Sequence, residues 1–255
     1  MTVVVGFLCR DGAVVASDSM LTSSMGQLPI AHHTGKKIAV LGGNQVFAFA
    51  GDQGQGDRFR FAADGNHAAI PNTHHPVDYP LILAQLVLQQ FQSTGIVGAF
   101  NALNLSTILA FPHNGTHQCC VFDGPLQPRL LDAHHYYVAI GSGKLAADPF
   151  LRFLVDVFCQ NGQPNVREAV FLAAWTVEHV IHTNPGGVAG PIRIAVLETD
   201  GAGQWIAREL PDTEIEEHRQ AMESAGQALR AWRDGLQSGA AAVDAPAPPE
   251  LPTQS

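Results

Sequence analysis

A threonine in the second position is the first residue of this chain that could do covalent chemistry. Initiator methionine is normally trimmed when a small residue follows, so loss of Met1 would leave Thr2 with a free α-amine. An α-amine titrates near neutrality, at about 7.7–8.0 in model compounds. A useful fraction is therefore unprotonated and can take the proton of its own hydroxyl, directly or through one water, as in the N-terminal-threonine form of a nucleophile–base pair. A Met-Thr start is common and proves little alone. Its weight comes from the ordered series that includes it: Thr2-Val-Val-Val-Gly6, Arg10-Asp11-Gly12, Val-Val-Ala-Ser-Asp18-Ser19, Gly35-Lys36-Lys37-Ile38 and Ala50-Gly51, with Gly141-Ser142-Gly143 much later.

Other reactive side chains point nowhere specific. The twelve histidines include His32-His33, His74-His75, His134-His135, His113 with His117, and His179 with His182. None has a carboxylate or cysteine at a zinc spacing, and no HExxH occurs, so solvated or hydrogen-bonded imidazoles and no metal are expected. Cys9, Cys119, Cys120 and Cys159 show no ligand spacing, and the adjacent pair cannot easily bridge, which reads as reduced thiols. No cofactor is implied.

A net charge of −9 without any basic cluster argues against a nucleic-acid surface. With 46% hydrophobic and only 15% charged residues, the chain has large faces to bury, some of them against copies of itself. The apolar start lacks a basic leader and is broken by Arg10 and Asp11, so it reads as neither a signal peptide nor a membrane span, and a cytoplasmic location is expected.

The elements that must position these residues are short. Residues 2–9 and 13–17 read as a hairpin turning on Arg10-Asp11-Gly12, and strands follow at 36–41 and 45–50. After the Gly-rich 51–57, helical spacing predicts a helix over 79–95. A second hairpin spans 106–122 about Asn114-Gly115, a strand covers 136–140, and helices run over 144–160 and 165–182. Asn161-Gly162-Gln163-Pro164 supplies stop and start signals between these helices. Strands at 191–198 and 203–208 close the core. The order implies antiparallel sheets sandwiched between helical layers, an α+β fold. Three regions result: a core over 2–210, an amphipathic helix over 211–238, and a Pro/Ala-rich tail over 239–255 expected to be disordered. In that helix Asp212 is placed to cap, acidic residues sit near the start, and Arg230 and Arg233 lie near the end.

The motif series over residues 2–57 resembles the opening of proteasome β-type subunits, which belong to the N-terminal-nucleophile hydrolases. The resemblance implies their four-layer αββα sandwich. It implies catalytic roles for Thr2 as nucleophile, for Lys37 beside its hydroxyl, and for Asp18 as the counterion of Lys37. Gly51 would donate its backbone N–H to the oxyanion, with Gly54 a competitor if the glycine run slides. Ser142 would organise the N-terminal amine. The family commonly has an aspartate in the loop after the second of the paired helices, followed three residues later by a serine. Here the loop reads His182-Thr183-Asn184-Pro185-Gly186-Gly187-Val188, so Asn184 stands nearest that aspartate and cannot neutralise charge. Leu21, Ala39, Phe49 and Gln53 would surround the substrate residue before the cut bond, in a mainly apolar pocket.

The resemblance is to bacterial proteasome-like subunits, which include the two-component (HslV-type) peptidase subunit, the ancestral β-subunit type and the betaproteobacterial proteasome homologue. The long C-terminal helix and Pro-rich tail fit the last best. The resemblance implies a threonine-type peptide hydrolase acting on peptides or unfolded proteins. It also implies a homo-oligomeric double ring of about 14 subunits with its sites facing a chamber. An unfoldase or gating partner stays unspecified. Two other functions fit the same fold: a chamber protein with weak or no proteolysis, and a hydrolase of small amides.

Overall fold

The computed structural model describes residues 2–25, 28–66, 74–93, 103–184 and 186–237. The chain divides into two compact units, Met1–Leu210 and Pro211–Ser255.

The first unit opens with β1 (Val4–Leu8) and β2 (Gly12–Ser17), paired from Val4↔Ser17 to Leu8↔Ala13. Every residue of both strands is buried, so the sequence here is a continuous apolar run without alternation. Next come β3 (Met20–Met25), β4 (Leu28–Thr34), β5 (Ile38–Leu41), β6 (Gln45–Gly51), α1 (Gln53–Asn66) and α2 (Asp78–Ser93). The chain continues through β7 (Leu105–His113), β8 (Thr116–Asp123), β9 (Gln127–Leu130), β10 (Tyr137–Ile140), α3 (Lys144–Phe158), α4 (Val166–Thr183), β11 (Arg193–Thr199) and β12 (Trp205–Glu209).

One antiparallel sheet has the order β10-β1-β2-β11-β12 and the other β5-β6-β7-β8-β9. The sheets face each other through β1 and β2 on one side and β6, β7 and β8 on the other. Helix α4 packs across β1, β2 and β11 with α3 beside β10, while α1 and α2 cover the second sheet. This is the expected four-layer αββα sandwich. Phe47, Phe59, Phe91, Phe111 and Phe122 fill the space between the second sheet and its helices.

The β1–β2 turn is anchored as well as tight. Asp11 Oδ1 accepts Val166 N–H at 2.8 Å, and Arg10 N–H donates to Pro164 O at 2.9 Å, so the turn holds the start of α4. Asn165 and Glu168 complete a reciprocal capping box there, each accepting the other's backbone N–H at 2.8 Å.

Several elements differ from expectation. The β3–β4 pair was not read from the sequence, and neither was α1. Gly54, Gly56 and Gly65 lower the helix propensity of α1. Tertiary packing overrides that: Asp52 Oδ1 accepts Gln55 N–H at 2.9 Å, and a Cβ on Gly56 would lie 2.4 Å from the Phe49 ring. β9 escaped notice because Pro128 sits within it, as an edge strand allows. The last two positions of the expected helix 79–95, and the tail 239–255, lie outside the described residues. In the second unit, α5 (Asp212–Gln237) carries Asp212 and Glu214 in its first turn, but no basic residue reaches its last turn.

Candidate active site

The start of β1 and the turn after β10 meet at Thr2. The Thr2 nitrogen donates to Ser142 Oγ at 3.1 Å, and the Thr2 carbonyl accepts Gly143 N–H at 2.9 Å. The Gly141-Ser142-Gly143 turn thus grips the threonine on both sides of its Cα. Gly141 has φ +88°, and a Cβ there would stand 2.3 Å from the Thr2 carbonyl oxygen, so glycine is needed for both backbone shape and space.

One residue further along, Val3 N–H donates to Asp18 Oδ1 at 3.0 Å, and Asp18 N–H returns a bond to Val3 O at 3.3 Å. Asp18 is wholly buried at the end of β2. Its Oδ2 accepts Met20 N–H at 3.0 Å, and its Oδ1 also accepts Lys37 Nζ at 2.7 Å. Lys37, just before β5, is 2% exposed. A buried ammonium costs several kcal/mol unless paired, and Asp18 supplies that pairing. Burial pushes the Lys37 ammonium below its ordinary value, and the Asp18 carboxylate pushes it back up. Because one oxygen takes both bonds, the ammonium lies within roughly 6 Å of the Val3 nitrogen.

Gly51 ends β6, with φ +118°. Phe49 N–H donates to Lys37 O at 3.1 Å and Asp52 N–H to Asn104 O at 2.7 Å. The alternation of an antiparallel ladder therefore turns the Gly51 N–H away from β7, toward the side where β5 has not yet begun. A Cβ on Gly51 would lie 2.0 Å from Asn104 O. Thr2, Gly51, Gly141 and Ser142 line one cleft of about 620 Å³. Gly54 does not line it; that residue is in the first turn of α1.

Ala39, Phe49 and Gln53 line a second cavity, of about 450 Å³, together with Lys37. It is not the mainly apolar pocket expected. The Lys36–Glu209 pair, with Nζ–Oε2 3.1 Å, and the Arg60–Asp57 pair at 3.5 Å also line it. Leu21 is not among its lining residues; it stands on β3, where its Cδ1 would be 2.1 Å from a Cβ on Gly35.

Asn184 ends α4. Its N–H donates to Val180 O at 2.9 Å, its carbonyl accepts from Gly187 and Val188, and its amide nitrogen donates to Thr183 Oγ1 at 3.4 Å. The Thr2 cleft does not include it. The segment that follows is tied to the residue after Asp18, since Ser19 N–H donates to Ala189 O and Ser19 Oγ to Pro191 O.

Sequence reading missed Asn104, Ser106, Asp123 and Lys144, which complete the Thr2 cleft. Their only signal was position: two at the start of β7, one at the end of β8 and one just after the Gly-Ser-Gly turn. Three of the described histidines have separate, unrelated contacts. His117 Nε2 lies 2.8 Å from Cys9 O, His32 Nδ1 3.1 Å from Thr22 Oγ1, and His179 stacks on Phe150 at 4.1 Å.

The αββα sandwich that carries these residues agrees with the comparisons. The chain is similar in structure to the Gly-1 mutant of Anbu from Hyphomicrobium sp. strain MC1, with a TM-score of 0.68 and 15% sequence identity, over 96% of this chain and 100% of that one. Comparison with curated protein sequences returns no match. The family model described as proteasome subunit matches residues 2–188. This chain therefore belongs to the proteasome subunit family.

Proposed function

We propose that the protein is a threonine-type peptide hydrolase whose nucleophile is Thr2 after removal of Met1. The observation that carries this reading is the hold on Thr2. Its nitrogen meets Ser142 Oγ, while the adjacent peptide shares Asp18 with the buried Lys37.

In the proposed reaction, the Thr2 hydroxyl oxygen attacks the substrate carbonyl carbon and its proton passes to the Thr2 amine. The Gly51 N–H faces the carbonyl oxygen as it becomes an oxyanion. Collapse of the tetrahedral intermediate breaks the carbon–nitrogen bond, and the amine returns the proton to the leaving nitrogen. The resulting ester is cleaved by water, with the same amine acting as base, which restores the threonine. The nearby Lys37 ammonium disfavours a second positive charge on the amine and so keeps it available as a base. Ser142 orients that amine.

The same reading makes the chain one protomer of a cytoplasmic, self-compartmentalised double ring of about 14 copies that admits unfolded polypeptide. Family membership supports ring assembly; mass measurement of the native complex tests it. Among the described residues, no helix is long and apolar enough to cross a membrane.

Asn184 favours a second reading. A neutral amide stands where the family commonly has a carboxylate, and its amide nitrogen donates to Thr183. A chamber protein with weak turnover fits that substitution. Hydrolysis of a panel of fluorogenic peptides by the wild-type chain and by Thr2→Ala separates the two. Turnover that vanishes with Thr2 supports the peptidase, and equal background rates in both proteins support the weak chamber.

A further inference from the structure

Exposed apolar side chains scattered singly over a surface need no explanation, but a contiguous set does. Among the described residues ten large apolar side chains are exposed, and four of them lie on α3: Leu145 at 88%, Phe153 at 56%, Val157 at 45% and Phe158 at 39%. Leu145, Phe153 and Val157 share one i, i+4 row with exposed Pro149, turned away from the buried Ala147, Leu151 and Leu154. Helix α4 backs this face. Phe153 stacks on Phe150 at 6.3 Å, and Phe150 lies 6.0 Å from Trp175 and 4.1 Å from His179. The exposed ring is thus held in place before anything meets it, which lowers the cost of ordering on association.

The neighbouring i, i+4 row is charged and alternates in sign: Lys144, Asp148, Arg152, Asp156. Within α3, Lys144 Nζ lies 3.9 Å from Asp148 and Arg152 Nε 3.0 Å from Asp156, and all four stay in contact with solvent. An antiparallel copy of α3 centred near residue 150 sets Lys144 against Asp156 and Asp148 against Arg152, in both directions. The same centring, to within one residue, sets Leu145 against Val157 and Pro149 against Phe153. A parallel copy in register sets like charges against each other along the whole row. Two adjacent rows that are self-complementary about one point fit a two-fold axis. Ridges of i±4 residues are also the ones that interdigitate in the commonest class of helix packing.

We infer that α3 is the docking surface for a second copy of this chain, joined antiparallel about a two-fold axis near residue 150. The apolar row supplies the affinity and the charged row sets the register. The inference deepens the ring reading by naming the face on which two protomers meet, and it rests on that reading only for the number of copies.

Sedimentation velocity over a range of protomer concentrations tests it in wild type, Phe153→Glu, Arg152→Asp and Asp148→Arg/Arg152→Asp. Phe153 and Arg152 are exposed, and urea midpoints report whether each variant is folded. Phe153→Glu is expected to split the assembly into species of half the mass. Arg152→Asp sets like charges together at two symmetric places and is expected to weaken association about tenfold, less at high salt. The double exchange restores opposite charges across the axis but not within α3, where both i, i+4 pairs become like-charged. It is expected to bring association back to within about threefold of wild type. Wild-type association in Phe153→Glu, or a double variant that associates no better than Arg152→Asp, would overturn the inference. Wild-type pairs that the single variants split, with no larger species, would sink the ring reading and leave the contact. Rings of wild-type mass in every variant would leave that reading and sink the contact.

Discussion

Replacing Asp18 by asparagine tests the buried pair behind the nucleophile. The carboxylate is wholly buried and accepts three bonds: Val3 N–H and Met20 N–H at 3.0 Å each, and Lys37 Nζ at 2.7 Å. Asparagine keeps an acceptor oxygen but loses the charge, so Lys37 is left buried and unpaired. Breaking a buried pair on one side costs roughly 3–5 kcal/mol, a large share of the ~5–15 kcal/mol that holds a domain folded. Removing both charges in Asp18→Asn/Lys37→Met should restore most of that loss, because the stranded ammonium is the main cost.

The pH dependence has a definite sign. Burial lowers the Lys37 value from 10.5, while Asp18 raises it. Between the folded and unfolded values the unfolded chain binds more protons, so stability rises with pH there. In Asp18→Asn the raising influence is gone, the interval widens downward, and the rise should begin at lower pH than in wild type. Urea unfolding at several pH values and one fixed protomer concentration reads all three proteins. A single variant that loses less than ~1 kcal/mol, or a double variant no better than the single, would show that Asp18 does not offset the burial of Lys37.

Other substitutions separate positioning from folding. Ser142→Ala removes the acceptor of the Thr2 nitrogen from an exposed turn, so peptide hydrolysis should fall about 10- to 100-fold with unfolding free energy unchanged within ~0.5 kcal/mol. Gly141→Ala places a Cβ against the Thr2 carbonyl at φ +88°. It should cost ~1–3 kcal/mol in denaturant unfolding and cut hydrolysis about 100-fold by shifting the nucleophile. Asn165→Ala breaks the capping box of α4, far from Thr2 in chemistry; a loss of ~1–2 kcal/mol in thermal unfolding with normal hydrolysis per folded chain is expected.

Much of the framework was readable because local chemistry agreed with the fold. The β1–β2 run, the Asn114-Gly115 turn with φ of 48° and 80°, and the Asn165–Glu168 box each declare themselves in a few adjacent residues. Helix α1 does not, because its glycines argue against a helix until Gly56 is seen packed on Phe49. The β3–β4 pair carries no strict alternation and has Pro29 inside its second strand, so it too was missed although Gly26-Gln27 separates the strands. In the site, Thr2, Lys37 and Ser142 stood out through motif order. Asn104, Ser106, Asp123 and Lys144 reach the cleft only through strand register and the closing of the sandwich, information spread over long separations. The charged second cavity was illegible for the same reason: Glu209 comes from β12, far along the chain from Ala39 and Phe49.

In the proposed reaction the amine and hydroxyl of one residue, Thr2, do the chemistry together. An electrophile that closes a ring only when it meets both groups on the same residue tests this directly, read by mass spectrometry of the intact chain and of its N-terminal peptide. Loss of Met1 and one adduct per chain on the peptide beginning at Thr2, absent in Thr2→Ala, are expected. Retention of Met1 in every chain, or an adduct carried by any other residue, would contradict the proposed reaction.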